Sequence, residues 1–183
     1  MKKVYFLLLT MFLLTSFASA NSNRCSFGNL ERVGRAKFSV TIKISNADTL
    51  GGFQIPFSFD NEYADLVCDS ISFVDSRCGQ FDFLQGSIDN ESKSALIMGI
   101  YQTDPAFDKQ PLAPGRGIVA KAYFTVVSLN EDIRPINRRK LHFAKKIFNM
   151  NSNKLGFEFW TAGGESVDGV FENSAIDIAE SEN

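Results

Sequence analysis

The sequence predicts an all-β protein of two sheets packed face to face. Three observations lead there: apolar and polar residues alternate along many short runs, turn formers separate the runs, and phenylalanine is abundant. The chain has 183 residues and 18 phenylalanines, all but Phe6, Phe12 and Phe17 lying beyond the N-terminal segment. So many flat rings suit inner faces that interdigitate between two sheets.

Phe38, Val40, Ile42 and Ile44 alternate with Ser39, Thr41 and Lys43, the period of a strand with one buried face. After the Leu50-Gly51-Gly52 break, Phe53, Ile55, Phe57 and Phe59 repeat the pattern. Pro56 cannot donate a ladder hydrogen bond, so an edge position or a bulge is expected for this strand. Further runs span 70–74, 80–84, 95–101, 118–127, 141–148, 155–160 and 167–171, which makes nine, with 175–178 a tenth candidate. Asn46-Ala47-Asp48, Asp60-Asn61, Asp89-Asn90, Asn151-Ser152-Asn153 and Gly163-Gly164 are the turns between them. No stretch carries a capped helical period, although Glu62 to Val67 fits a single helical turn. Gln102 to Gly117, with Pro105, Pro111 and Pro114, reads as a stiff exposed loop between strands of one domain.

Residues 1–20 have the form of an export signal: Lys2-Lys3, an apolar run from Val4 to Leu14, and Ala18-Ser19-Ala20 at the cleavage site. The expected division is a signal peptide over 1–20, one domain over 21–178 and a disordered tail over 179–183, in a protein that is secreted or periplasmic. Loss of Lys2 and Lys3 takes the whole-chain net charge of −2 to about −4, which argues against a nucleic-acid surface. The basic cluster of Arg138, Arg139, Lys140, Lys145 and Lys146 reads as a solvated strand face. Export places Cys25, Cys68 and Cys78 where disulfides persist, and a bridge between Cys68 and Cys78 would clamp a hairpin-sized loop. Cys25 would then be free or paired between chains.

Catalytic chemistry is thin. His142 is the single histidine and alternates with apolar neighbours, and no Gly-x-Ser-x-Gly turn accompanies it. Paired carboxylates from among Asp82, Asp89, Glu91, Asp104 and Asp108 would suffice for a glycosidase, but acids at β-turns more often serve the turn. Asp48, Asp60, Asp65 and Asp69 could together hold a structural calcium ion, with nothing in their spacing demanding it. Trp160 shares the outer side of its strand with Glu158, which makes it either a stacking platform for a sugar or a protein, or a cap folded over the sandwich edge. Tyr101 and Phe107, at and in the long loop, are read as loop anchors first and ligand contacts second.

Two stretches resemble the cohesin modules of bacterial extracellular proteins. VTIKISNADTLGGFQIPFSFD, from Val40 to Asp60, has the strand, Asn-Ala turn, Gly-Gly-Phe entry and Phe-Asp ending of that pattern. PGRGIVAKAYFTVV, from Pro114 to Val127, is similar to the strand that follows the central loop. The resemblance implies a nine-stranded jelly-roll sandwich, related to carbohydrate-binding sandwiches, in which one sheet face holds the calcium-loaded dockerin of a partner. The expected function is accordingly a non-catalytic recognition module that binds a dockerin-bearing protein or a polysaccharide and needs no cofactor. A structural subunit joined to its neighbours by an exposed strand edge is the alternative, and a carboxylate-only glycan-active enzyme ranks third.

Overall fold

The computed structural model describes residues 22–104, 106, 108–129 and 140–177. Fourteen strands run in chain order among them: β1 Asn23–Gly34, β2 Lys37–Asn46, β3 Leu50–Ser58, β4 Ala64–Ser72, β5 Phe83–Asp89, β6 Ser94–Ile100 and β7 Gly115–Leu129. After residues 130–139 come β8 Lys140–Lys145, β9 Phe148–Met150, β10 Asn153–Leu155, β11 Glu158–Thr161, β12 Ser166–Val167, β13 Gly169–Phe171 and β14 Ser174–Asp177. One sheet has the order β13-β1-β2-β7-β4, and the other β12-β11-β3-β6-β5, with β8 beside β3 and β14 beside β8. No helix occurs among the described residues; the run from Glu62 becomes a bend and then β4.

The alternating runs form the core as the period of two requires. Val40, Ile42 and Ile44 of β2 and Phe53, Ile55 and Phe57 of β3 are fully buried. Between the sheets Phe143 lies 4.9 Å from the Phe27 ring, 5.6 Å from Phe124 and 6.4 Å from Phe57. The strand count exceeds nine because β1 and β14 join the nine runs and three runs break: 141–148 is divided between β8 and β9, 155–160 between β10 and β11, and 167–171 between β12 and β13. Strand β1 carries no legible alternation, since Gly28 and the charged Arg24, Glu31 and Arg32 interrupt it, yet it pairs with β2 along most of its length.

Pro56 does not mark an edge. Strand β3 is central, flanked by β6 on one side and by β11 and then β8 on the other. The Phe59 amide donates to Lys93 O (3.0 Å) and the Tyr101 amide to Gly51 O (2.8 Å), so the odd residues of β3 bond to β6. The even ones turn to the far side, where the missing N–H of Pro56 falls in the gap between Gln54, paired with β11, and Phe57, paired with β8. A central strand tolerates proline at such a change of partner.

The expected Cys68–Cys78 bridge is corrected by the register. Cys68 lies opposite Phe124 on β7, whereas Cys78 Sγ faces Val119 O at 3.3 Å. Five residues of β7 separate these points, roughly 16 Å at strand rise, and a disulfide requires Cα atoms within about 7 Å. Cys25, Cys68 and Cys78 are all free and buried.

Candidate functional site

The outer face of the β12-β11-β3-β6-β5 sheet is where the pattern departs from a solvated strand surface. Register places Trp160 opposite Gly52, Gly52 opposite Ile100, and Ile100 opposite Phe83. The next row is Glu158, Gln54, Met98 and Gln85. Trp160, Ile100, Phe83 and Met98 are half-buried, leaving apolar surface open to water. A face meant only for solvent would carry polar side chains at these alternate positions.

Gly52 makes the first row possible. A Cβ there would stand 2.9 Å from Trp160 Cε3, so the indole lies across the glycine with no side chain beneath it. Trp160 thus sits on the outer side with Glu158, while Phe159 between them is fully buried.

Farther along, the same face is covered. The β9–β10 hairpin turns through Asn151 and Ser152, both at positive φ (48° and 68°), as a tight primed turn demands. Phe148 and Leu96 are buried there although neither belongs to the central core cluster, and β9 makes its contacts with β6. Gln54 Nε2 donates to Gly156 O (2.6 Å) at the margin of the hairpin. The open patch is therefore bounded on one side by the hairpin and on the other by the long loop after Tyr101.

That loop is pinned by Arg77, a residue the sequence reading passed over. Its guanidinium donates to Asn46 Oδ1 (2.9 Å), Ile44 O (3.3 Å) and Ala113 O (2.8 Å). Asn46, itself buried, donates to Ala113 O (2.9 Å) and Asp48 O (2.7 Å). Desolvation draws the Arg77 pKa below its ordinary value. Gly117 leaves the room, since a Cβ there would meet Arg77 Cδ at 2.4 Å.

Of the three expected ligand contacts, Trp160 lies on the open patch. Tyr101 continues β6 past the outward Ile100, packs against the core, and donates from its hydroxyl to Ala162 O (3.4 Å), as a loop anchor does. Phe107 lies outside the described residues. Phe83, Met98 and Ile100 went unread, though 95–98, Ala-Leu-Ile-Met, carries a signal: an apolar run without alternation has both faces covered or ready to be.

Asp82 and Asp89 do not form a pair. Asp82 accepts from the Thr103 amide (3.1 Å) and hydroxyl, and Asp89 from the amides of Glu91 (3.1 Å) and Ser92 (3.0 Å) and the Ser92 hydroxyl (2.7 Å). These bonds hold both carboxyls below their ordinary pKa, so each stays an anion serving a turn. They flank β5, roughly 23 Å apart at strand rise, where a glycosidase pair needs about 5–9.5 Å. Asp48 accepts from Asn23, Asp65 from Lys93, and Asp69 from Thr125 (2.7 Å) and Lys37 (3.4 Å). Among the described residues no three His, Cys, Asp or Glu side chains gather as metal ligands. A hollow of about 370 Å³ lined by Asp60, Asn61, Lys93 and Leu129 lies at one end of the sandwich, and its lysine is engaged by Asp65 and Leu66 O. His142 is exposed on β8, with its amide bonded to Asn61 Oδ1 (2.6 Å).

No protein-family model and no curated protein matches the sequence. Solved structures do match the fold. The OlpA cohesin of Clostridium thermocellum, determined in a cohesin–dockerin complex, aligns with a TM-score of 0.60 at 8% identity, over 86% of this chain and 99% of that one. The sixth cohesin of scaffoldin B from Acetivibrio cellulolyticus, also in complex with a dockerin, aligns at 0.59 with 11% identity, over 85% and 98%. A non-cellulosomal cohesin from the archaeon Archaeoglobus fulgidus aligns at 0.51 with 16% identity, over 85% and 88%. The chain has a cohesin-like β-sandwich fold.

Proposed function

We propose, from the cohesin-like fold and its uncovered apolar sheet face, that this protein is a non-catalytic recognition module that docks a protein partner of dockerin type outside the cytoplasm. The observation that carries the reading is the row of Trp160, Ile100 and Phe83 on the outer face of β11, β3, β6 and β5. Three large side chains stand there side by side on one sheet face, each only partly buried. Association gains most from such anchors when they are held in place beforehand. The binding of Asp82 and Asp89 into separate turns and the exposure of His142 favour the non-catalytic reading. Export rests on the charged, apolar and Ala-Ser-Ala pattern of residues 1–20.

Polysaccharide binding is the second reading, and Trp160 favours it: an indole lying over a glycine presents a flat face on which a sugar ring can stack. One experiment separates the two. The purified protein is immobilised and offered secreted proteins and insoluble polysaccharides, with calcium and with chelator. Capture of a dockerin-bearing protein only in calcium supports the first reading, retention on a polysaccharide without protein supports the second, and retention of neither refutes both.

A further inference from the structure

Strand β4 ends one sheet and β5 ends the other, and these two edges are treated differently. At the β4 edge the outward main-chain groups are occupied by side chains. Asn90 accepts from the Cys68 amide (2.9 Å) and donates to Cys68 O (3.2 Å), and Lys93 Nζ donates to Leu66 O (2.8 Å). A strand approaching β4 would find these places taken, the usual protection of an edge.

Strand β5 has no such cover. Among the described residues its strand partner is β6 alone, and no hydrogen bond from them reaches its free side. The phase follows from β3: its odd residues bond to Lys93, Ala95, Ile97 and Gly99, so Ser94, Leu96, Met98 and Ile100 turn to β5. Their partners there are Asp89, Ser87, Gln85 and Phe83. Leu84, Gly86 and Ile88 consequently direct their N–H and C=O groups outward. The strand has no proline, lysine or bulge to blunt it.

The sequence Phe83-Leu84-Gln85-Gly86-Ser87-Ile88-Asp89 is also complementary to itself about Gly86. An antiparallel copy centred there sets Gly86 against Gly86 and Leu84 against Ile88 as hydrogen-bonded pairs, forming about six main-chain bonds. On the outer face the same register sets Gln85 of one copy opposite Ser87 of the other; on the inner face, apolar meets apolar. We propose that β5 is a homodimer interface, through which two copies join edge to edge in one continuous sheet. The occupant is a second copy because the strand is complementary to itself about a two-fold axis: Leu84 meets Ile88 and Gln85 meets Ser87, with Phe83 opposite Asp89 only at the two ends of the ladder. That axis is perpendicular to the sheet, so both apolar docking patches lie on the same side and the dimer presents them as a pair.

The test does not depend on any docking partner. Sedimentation velocity of the purified protein, from micromolar to millimolar concentration, is expected to show a monomer–dimer equilibrium. Changing Gln85→Lys and Ser87→Lys together sets new positive charges against each other across the axis. The dimer constant should weaken at least tenfold while the melting temperature stays unchanged. Gln85→Lys combined with Ser87→Glu sets opposite charges across the same axis and should restore the dimer. A monomer at every concentration, or a dimer indifferent to the double lysine change, overturns the proposal.

Discussion

Raising the pH above 9 should destabilise this protein through a thiol in β4. Burial is the main force on Cys68, lifting its pKa from the ordinary 9.0 to about 12, with the Asp69 carboxylate pushing the same way. An unfolded chain releases this proton near pH 9, and the folded chain keeps it until about 12. Between those values the folded state holds the extra proton, so its stability falls as pH rises, by about 1.4 kcal/mol per unit and about 4 kcal/mol in all. Below pH 9 the contribution is complete. Burial raises the Cys25 thiol as well, with Glu172 adding to it, so the slope steepens further. The assay is the urea midpoint of the wild type and of Cys68→Ala, measured in steps from about pH 8 to about pH 10.5, a range chosen to cover the onset of the effect. Wild-type stability should fall faster than that of the variant; the cavity left by alanine shifts both ends of its curve equally and cancels in the slope. Parallel slopes would refute the reasoning.

Trp160→Ala should leave the fold intact and weaken partner capture by about 2 kcal/mol, roughly thirtyfold, as an interface anchor does; unchanged capture in a pull-down titration removes Trp160 from the site. Phe143→Ala opens the centre of the sandwich among Phe27, Phe57 and Phe124, and a loss of about 3–5 kcal/mol in chemical denaturation is expected. Arg77→Ala removes the donors that hold Ala113 and Asn46, so limited proteolysis should cut the 102–114 loop sooner, with little change in global stability. Gly99→Val would force a Cβ to within 2.7 Å of Phe53 Cζ, and thermal melting should register the clash as a clear fall in midpoint.

The legible parts of the fold were those where one face is buried and the other is wet. The alternation in 38–44 and 53–59 is written residue by residue, and β2 and β3 appear where it stands. Strand β1 was illegible because pairing with β2 and β13, and not its own residues, holds it extended. The docking face was half legible: Trp160 stood out through its alternation with Phe157 and Phe159. Phe83, Met98 and Ile100 were hidden in apolar runs, where both faces look alike.

Local period and turn chemistry were enough to determine the all-β class, several of the turns and the core residues of β2 and β3. They act through neighbours a few positions apart, and the sequence displays such neighbours directly. Which strands become neighbours was decided only in three dimensions. That choice set β3 at the centre in spite of Pro56, parted Cys68 from Cys78 along β7, gathered Trp160, Ile100 and Phe83 into one row, and left β5 open while β4 was closed. Pairing joins residues far apart in the chain through main-chain hydrogen bonds that every residue but proline can make, so side-chain identity alone cannot specify it.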